Sequence, residues 1–333
     1  MVRARIILGA LCLVTIPGFT TERATAPARD LEGASRREIL GLQATLEAEG
    51  CSPGLLDGLA GPKTRTALRA FQLREGLPPT GSPDAATRRR LGLGLETGPE
   101  GSEAVVRRYT VTREDEQQVA YCPPDWVERS LREKLLYSTL SSLLAEKFHT
   151  TQRCLAFLNP DAELTSLKAG DGIVVPVLRE SKAWREVEEI EIDLERKLIL
   201  ILDGLRHLRG LLHCSVARNI TDSVRGECRV ITVVANPEYT FDPKYWPAVT
   251  EVNQKLSIPA GPRSPVGLRW IGLDRPGVGI HGTPEPENIG KTGSHGCFRL
   301  TNWDAVYLAS IVSPGTRVRI LDRSPVVDRL TGK

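Results

Sequence analysis

Beyond Lys182 the apolar residues change from a helical spacing to a β-strand spacing, and this change most constrains the fold. Residues 190–194 alternate between apolar and charged side chains, and after a charged turn residues 198–202 are all apolar. Asp203-Gly204 then gives a strong hairpin signal. Further strands are expected at residues 211–216 and 229–234. The pattern predicts a mainly antiparallel β-sandwich or barrel in the C-terminal part of the chain.

The length of 333 residues exceeds what one hydrophobic core usually supports, so two or three domains are expected. The 44 lysine and arginine residues nearly balance the 41 aspartate and glutamate residues, which leaves a formal net charge of +3. This balance lacks the basic excess of a nucleic-acid-binding chain, and no nucleic-acid partner is expected. We predict a multidomain α+β chain, divided into a signal peptide and linker at 1–26, a three-helix bundle at 35–92, a linker at 93–106, a small α/β module at 107–180 and the β domain at 185–323.

The N-terminal residues have the layout of a secretory signal. Arg3 and Arg5 precede an apolar run at residues 6–16, which Pro17 and Gly18 interrupt. The run is too short to span a bilayer, so we expect secretion across the inner membrane into the periplasm or cell envelope. The alternative is a buried strand or helix of a cytosolic domain.

The cysteines allow disulfides in such an oxidising compartment. Of seven cysteines, Cys12 would leave with the signal, and a working thiol at Cys297 would leave five, an odd number. The pairs that the sequence suggests are Cys122 with Cys154 and Cys214 with Cys228.

Three helices are expected between residues 35 and 92. The first begins at Ser35, the second at Pro62, which suits a first helical turn, and the third follows Pro83. The segment resembles the three-helix peptidoglycan-binding domain at Leu42-Gln43, Asp57-Gly58, Gly61, Thr64, Ala67, Phe71-Gln72, Leu77, Gly81, Thr87 and Leu91. The resemblance implies contact with peptidoglycan glycan or stem peptides. A three-helix spacer that binds nothing is the alternative.

The following module combines strand and helix patterns. Strands are expected at residues 109–112 and 172–178, with an amphipathic helix at 136–149 between them. With Leu158-Asn159-Pro160 and Ala169-Gly170-Asp171, these elements resemble a divergent LysM module, a βααβ unit that binds chitin or peptidoglycan. The stretch 113–133 departs from the usual start of that module. Sugar binding and a purely architectural role are both open.

The residues that can carry chemistry are concentrated near the C-terminus. His281 precedes Cys297 by 16 residues, and Gly293 and Gly296 allow the backbone to turn sharply between them. An imidazole beside a thiol can draw off its proton and create a strong nucleophile. Two other interpretations fit these residues. One is a buried cysteine with two surface histidines, and the other is a zinc site formed by His281, His295 and Cys297.

The two sequence segments around these residues favour a thiol nucleophile that is activated by an imidazole. Ile-His-Gly-Thr at 280–283, followed by Ser-His-Gly-Cys-Phe-Arg-Leu at 294–300, resembles the signature of the L,D-transpeptidase catalytic domain, also called the YkuD family. The resemblance extends over about residues 187–321. It implies a mainly antiparallel β catalytic domain that uses no metal ion and no organic cofactor.

The resemblance also implies a role for each matching position. Cys297 would be the nucleophile and His281 its general base, while the backbone carbonyl of Gly282 would orient the imidazole in place of a carboxylate. Arg299 would hold nearby structure or a substrate carboxylate. His295 would complete the catalytic set. The substrate pocket and its oxyanion region would be formed by Ser294, Gly296, Thr283 and Arg299.

The implied reaction is an acyl transfer. Cys297 would attack the L,D bond before the terminal D-Ala of a tetrapeptide stem, and an amine of a neighbouring stem would attack the thioester to give a 3→3 cross-link. Alternative acceptors are water, which would make the chain an L,D-carboxypeptidase, and a lysine of an envelope protein or lipoprotein. An inert wall-binding structural protein is an interpretation of another class.

Overall fold

The computed structural model describes residues 31–93, 105–182, 184, 187–246, 249–293 and 296–331. The predicted signal peptide at 1–26 and most of the predicted linker at 93–106 lie outside these residues. In the part of the chain that the structure describes, no helix combines the length and the hydropathy needed to cross a membrane.

The N-terminal domain contains the three predicted helices. These helices are α1 (Arg36–Ala48), α2 (Pro62–Arg74) and α3 (Ala85–Arg90). The Ser35 hydroxyl accepts a hydrogen bond from the Glu38 backbone N–H, and the Glu38 carboxylate accepts one from the Ser35 backbone N–H, so this capping box fixes the start of α1. Apolar side chains of α1 and α2, with Leu91, form the inner face of the bundle. The predicted three-helix bundle is therefore confirmed.

The middle module is a two-stranded antiparallel sheet with four short helices between its strands. Its elements are β1 (Val106–Thr110), α4 (Arg113–Gln117), α5 (Trp126–Ser130), α6 (Leu140–Lys147), α7 (Gln152–Leu158) and β2 (Gly172–Pro176). The prediction of one helix over 136–149 was too long. Tyr137 instead forms a backbone bridge with Val119, and Thr139 caps the helix that follows.

The C-terminal domain is built around one large sheet that is mostly antiparallel, as predicted. Eight strands lie in the order β11-β10-β9-β6-β12-β3-β4-β5, and a separate pair, β7 and β8, forms a hairpin. Among the described strands of this sheet, β10 with β11 and β12 with β3 pair in parallel and the other neighbours are antiparallel. The bounds are β3 (Glu189–Asp193), β4 (Leu198–Leu202), β5 (Leu208–His213), β6 (Gly226–Ala235), β7 (Tyr239–Phe241), β8 (Leu256–Ile258), β9 (Arg269–Leu273), β10 (Gly279–His281), β11 (Phe298–Arg299), α8 (Asn302–Ile311), β12 (Arg317–Leu321) and α9 (Pro325–Thr331).

The two ends of this sheet meet at one pair of residues. Ser215, just beyond β5, and Arg299 of β11 exchange both backbone hydrogen bonds, each at 2.9 Å. The first and last strands of the sheet are thereby joined, so the sheet curls back on itself. We call the backbone pair of Ser215 and Arg299 the seam; its residue Arg299 lies two positions after Cys297.

Strand β4 is apolar at every position because both of its faces are covered. Ile199 and Ile201 belong to the core inside the curled sheet. Leu198, Leu200 and Leu202 point the other way and pack in one cluster with side chains of α2 and α9. The N-terminal domain is therefore docked on the catalytic domain through a shared apolar core.

The middle module also packs on the catalytic domain. Trp126 of α5 stacks on Phe241 of the β7–β8 hairpin with ring centroids 4.4 Å apart. The Asn302 amide donates to Glu146 Oε1 of α6 at 2.8 Å in a buried contact. Residues 113–133, which depart from the LysM pattern, thus supply part of the contact with the hairpin.

Neither of the two disulfides that the sequence allows is formed. Cys122, Cys154, Cys214 and Cys228 are all free thiols. Cys122 packs in the cluster of the β7–β8 hairpin, whereas Cys154 belongs to the cluster between α1 and the middle module. Cys214 and Cys228 lie in the core of the catalytic sheet and remain unpaired there.

Candidate active site

The strand register brings the predicted catalytic residues to one face of the sheet. Ile280 pairs with Phe298, and both side chains are fully buried in the core. The next pair, His281 and Arg299, therefore faces the opposite side, because side chains alternate along a strand. Cys297 lies two residues before Arg299 and shares its face. His281 and Cys297, 16 residues apart in sequence, are thus brought to the same face, with His281 on β10 and Cys297 directly before β11.

The His281 imidazole is held by the backbone of the next residue. Its Nδ1 lies 2.7 Å from the carbonyl oxygen of Gly282. A carbonyl oxygen can only accept, so Nδ1 carries the hydrogen and Nε2 of the neutral ring is left able to accept a proton. The contact is the one that the family resemblance implied for Gly282. It gives His281 the tautomer that a general base requires.

The surroundings of His281 keep the ring neutral. Burial lowers its pKa to about 4, the Gly282 carbonyl opposes that shift in part, and the Arg299 guanidinium adds to it. Trp270, which pairs with His281 across β9 and β10, stacks on the imidazole with centroids 5.7 Å apart. A neutral, oriented imidazole can take up a proton at any pH above about 4.

Cys297 is half-buried and its thiol is protonated at rest. Burial raises the pKa of the thiol, and the Gly279 backbone and the Arg299 guanidinium offset this only in part. The Sγ atom donates to the carbonyl oxygen of Gly277 at 3.4 Å. Because the thiol is protonated, nucleophilic attack needs a base, and His281 lies on the same face of the sheet.

Comparison with known proteins places this site in a family. The model of the L,D-transpeptidase catalytic domain matches residues 188–320, and that of a peptidoglycan binding domain matches residues 35–91. A Bacillus licheniformis protein whose name assigns it to the L,D-transpeptidases, YkuD, is 30% identical over 184 residues. The aligned residues cover 55% of this chain and 93% of that protein. This chain belongs to the L,D-transpeptidase family.

Other members of the L,D-transpeptidase family are also similar. The Bacillus subtilis protein YqjB, named as an L,D-transpeptidase, is 38% identical over 134 residues, which are 38% of this chain and 66% of that protein. A solved L,D-transpeptidase structure from Xylanimonas cellulosilytica has 16% sequence identity and a TM-score of 0.35, over 87% of this chain and 95% of that chain. The two matched domain ranges do not include the middle module at 107–180, so its resemblance to LysM stays a prediction.

Two predicted glycines of the L,D-transpeptidase site are needed for different reasons. Gly296 has a φ of +143°, a conformation that side-chain-bearing residues rarely adopt, and it sits directly before Cys297. A Cβ on Gly282 would lie 2.2 Å from Asn302 Oδ1, so this position has no room for a side chain. Asn302 therefore supports, from behind, the residue whose carbonyl orients His281.

The other predicted site residues have varied surroundings. Thr283 is buried, and its hydroxyl accepts a hydrogen bond from the Glu285 backbone at 3.3 Å, which supports the loop after β10. Arg299 donates to the Gly293 carbonyl at 3.3 Å, so it holds nearby structure, one of its two predicted roles. Ser294 and His295 lie outside the described residues.

The predicted zinc alternative used His281, His295 and Cys297. Among the described residues, no group of three or more His, Cys, Asp or Glu side chains is placed to hold a metal ion. His281 Nδ1 is occupied by the Gly282 carbonyl, which leaves one ring nitrogen for any further role.

Several residues around the site were not predicted. Trp270 stacks on His281, Ser215 closes the sheet beside Arg299, and Tyr239 is close enough to Cys297 and Arg299 to interact electrostatically. A cleft of about 350 Å³ is lined by Trp270, Gly277 and the exposed Ile231, and the carbonyl of Gly277 accepts the hydrogen bond of the Cys297 thiol. The alternation of β9 could have placed Trp270 on the outer face, whereas Ser215 and Tyr239 depend on long-range pairing.

Proposed function

We propose that this chain is a peptidoglycan L,D-transpeptidase that works through a thioester on Cys297. The observation that carries the proposal is the pairing of β10 with β11, which puts His281 and Cys297 on one sheet face with Nε2 of His281 unprotonated. The cleft of about 350 Å³ that Gly277 lines is our candidate for the peptide stem, because the Gly277 carbonyl is hydrogen-bonded to the Cys297 thiol.

The first half of the reaction is acylation. The Cys297 thiol gives its proton to His281 Nε2 as sulfur attacks the carbonyl carbon of the third stem residue, a diaminopimelate. The tetrahedral intermediate collapses, the C–N bond breaks, and the amine of D-Ala leaves with the proton from His281. Backbone N–H groups near Gly296 and Cys297 are candidates to stabilise the oxyanion.

The second half transfers the acyl group. The amine of a neighbouring diaminopimelate side chain attacks the thioester, and His281 removes a proton from that amine. The C–S bond breaks, and the thiolate recovers a proton from His281. The products are a 3→3 cross-link and free Cys297, so no net oxidation or reduction occurs.

We also propose that the mature chain acts outside the inner membrane, in the periplasm or cell envelope. Peptidoglycan, its proposed substrate, lies there, and the N-terminal domain matches a peptidoglycan binding domain. A fusion to a reporter that is active only after export would test this. Reporter activity is the expected result, and a cytosolic reporter would contradict the location while leaving the chemistry untouched.

The chemistry is tested with purified disaccharide tetrapeptide. The parent protein should form cross-linked dimers that have lost one D-Ala, whereas Cys297→Ala should form none. Cys122→Ala is the matched control, because Cys122 is half-buried and packs in the hairpin cluster. Cross-linking by Cys297→Ala would contradict the proposal.

The same products separate the acceptors. Mass spectrometry that finds tripeptide without dimer would identify water as acceptor and an L,D-carboxypeptidase. Addition of the tripeptide to a supplied envelope lipoprotein would identify a protein lysine as acceptor. A folded parent protein that gives no product and no mass addition on Cys297 with a carbapenem would indicate the inert wall-binding protein instead.

A further inference from the structure

A second cavity, which shares no lining residue with the cleft beside Gly277, lies between the N-terminal and catalytic domains. Its volume is about 650 Å³. One wall comes from α2 and the turn before it, and the other from the start of β4 and from the loop between His281 and Cys297. We call it the interdomain groove and define it by Leu59, Lys63, Arg69, Lys197, Ile289 and Lys291.

Two lysines from opposite walls hold the same stretch of the catalytic loop. Lys63 Nζ of α2 donates to the Ile289 carbonyl at 2.8 Å. Lys197 Nζ, from the turn before β4, donates to the next carbonyl, that of Gly290, also at 2.8 Å. The peptidoglycan-binding domain therefore contacts the segment that connects the catalytic base with the nucleophile.

This contact continues to the seam of the sheet. The Gly290 backbone N–H donates to Ser215 Oγ at 2.8 Å. Ser215 in turn pairs through its backbone with Arg299, two residues beyond Cys297. The floor of the groove and the strand that follows the nucleophile are thus joined by consecutive hydrogen bonds.

The groove carries an excess of positive charge. Lys63, Arg69, Lys197 and Lys291 line it, and none of these four forms an ion pair with a carboxylate of the described residues. Arg196 lines it too, but is already paired with Asp193 and Asp328. The carboxylates in the lining are Asp57 and Glu287. An anionic ligand is therefore favoured over a cationic one.

One rim of the groove is apolar. Leu59, in the turn before α2, is 51% exposed although it is a large hydrophobic residue. An exposed leucine next to unpaired cations suits a ligand that combines carboxylates with small apolar groups. A peptidoglycan stem has this composition, because it carries free carboxyl groups and the methyl groups of alanine.

We propose that the interdomain groove is a second peptidoglycan site, which binds the stem peptide of a glycan strand through its carboxylates. Arg69 and Lys291 contact the carboxylates, and Leu59 packs on the alanine methyl groups. The proposal rests on the proposed function, since it makes the bound strand a neighbour of the strand that Cys297 acylates. It assigns the binding role of the N-terminal domain to a surface completed by the catalytic loop.

Binding is measured in the full mature chain carrying Cys297→Ala, so that no acylation contributes. The probe is a soluble, uncross-linked glycan strand with tetrapeptide stems, and affinity is read by calorimetry. Arg69→Glu/Lys291→Glu should weaken binding at least tenfold. The matched control is Arg37→Glu/Arg89→Glu, which reverses two exposed cations of the same domain outside the groove and should change affinity less than twofold.

Two further measurements complete the test. Glycan strands stripped of stems should bind the groove variant and its parent alike, because the proposed contacts are to the stem. A diazirine-bearing tetrapeptide strand should label residues 57–69 and 287–291 of the protein without groove substitutions, which does not depend on a variant folding. Equal affinity of both double variants, or labelling confined to other segments, would overturn the second site. Carbapenem acylation of Cys297, measured separately, reports on the proposed function.

Discussion

Two histidines of this molecule each stack on a tryptophan but differ in their electrostatics. His281 in the active site stacks on Trp270, and His149 between the middle module and the catalytic domain stacks on Trp303 with ring centroids 4.9 Å apart. The partner of His281 Nδ1 is the Gly282 carbonyl, whereas that of His149 Nδ1 is the Glu47 carboxylate at 2.8 Å. The two rings therefore differ in the charge of the group that accepts the Nδ1 hydrogen bond.

That difference decides the charge. Burial lowers the pKa of His281 to about 4 because a peptide carbonyl orients the ring without neutralising a full positive charge. Burial would also lower the pKa of His149, but the Glu47 carboxylate outweighs it and raises the pKa. An imidazole that stays neutral can serve as a base, whereas one held as a cation by a carboxylate serves as a structural ion pair.

The largest expected effect comes from substituting His281, the neutral histidine of the active site. His281→Gln removes the base, so the rate of Cys297 acylation by a carbapenem should fall by about 10²–10⁴-fold. Mass spectrometry of the acylated protein over time gives the rate. His207→Gln is the control, since His207 is exposed and pairs only with Asp203. A loss below tenfold in folded His281→Gln protein would mean that another group takes the proton.

The pH dependence of Cys297 acylation tests whether the His281 ring is neutral. With a pKa of about 4, His281 is already unprotonated at pH 5, so the acylation rate should stay nearly constant from pH 5 to pH 7. A base with the ordinary histidine pKa of about 6.5 would instead lose about 30-fold by pH 5. Stopped-flow acylation with circular dichroism at each pH makes the measurement. A midpoint near pH 6.5 would contradict the neutral-ring assignment.

His149→Ala removes the ion pair between His149 and Glu47. This change leaves the Glu47 carboxylate, with a side chain 11% exposed, without its cation and should lower the free energy of unfolding by about 2 kcal/mol. Urea unfolding at pH 6 is suitable. The raised folded-state pKa stabilises the fold below the unfolded value of about 6.5, and that stability is lost as pH rises through the folded value.

Two controls accompany this change. His207→Ala should alter stability by less than about 0.5 kcal/mol, because the His207 ring is 65% exposed and Asp203 keeps its ion pair with Arg209. The acylation rate of folded His149→Ala protein should stay within a factor of two of the parent. A His149→Ala protein as stable as the parent at pH 6 would show that the stacked ring, charged or not, adds little.

The smallest expected effect comes from Asp304, a buried carboxyl of α8 close enough to His149 to interact with it. Burial raises its pKa to about 7, so the folded state keeps a proton that the unfolded chain releases above about 4. The free energy of unfolding should therefore decrease from pH 5 to pH 6. Asp304→Asn should reduce this decrease by about 1 kcal/mol in urea unfolding, whereas the exposed Asp161→Asn should not. Equal pH slopes in the two variants would contradict the assignment.

The sequence predicted the regular parts of the fold well, for physical reasons. The alternating residues before β4 and the Asp203-Gly204 turn specify a hairpin locally, and Ser35 and Pro62 mark helix starts through capping and a fixed φ. The helices α4 and α5 were missed because five residues are too few to show a helical period.

Long-range features could not be predicted. The disulfides failed because cysteine spacing does not show where the side chains lie: Cys122 and Cys154 belong to different clusters, and Cys214 and Cys228 share the sheet core but are unpaired. At the active site, the motif predicted His281, Gly282 and Cys297, but the supporting contacts of Ser215 and Asn302 depend on how distant segments pair. Motifs of contiguous residues identify reacting groups, while the residues that hold them require the tertiary structure.

The two covered faces of β4 have a consequence for how the enzyme would reach its substrate. Pulling the N-terminal domain away would expose Leu198, Leu200 and Leu202 to water, at a cost on the order of 5 kcal/mol. The N-terminal domain is therefore packed against the catalytic domain and does not move independently on a flexible tether. The distance between the proposed stem site in the groove and Cys297 is therefore set by the packing of the two domains and not by a linker.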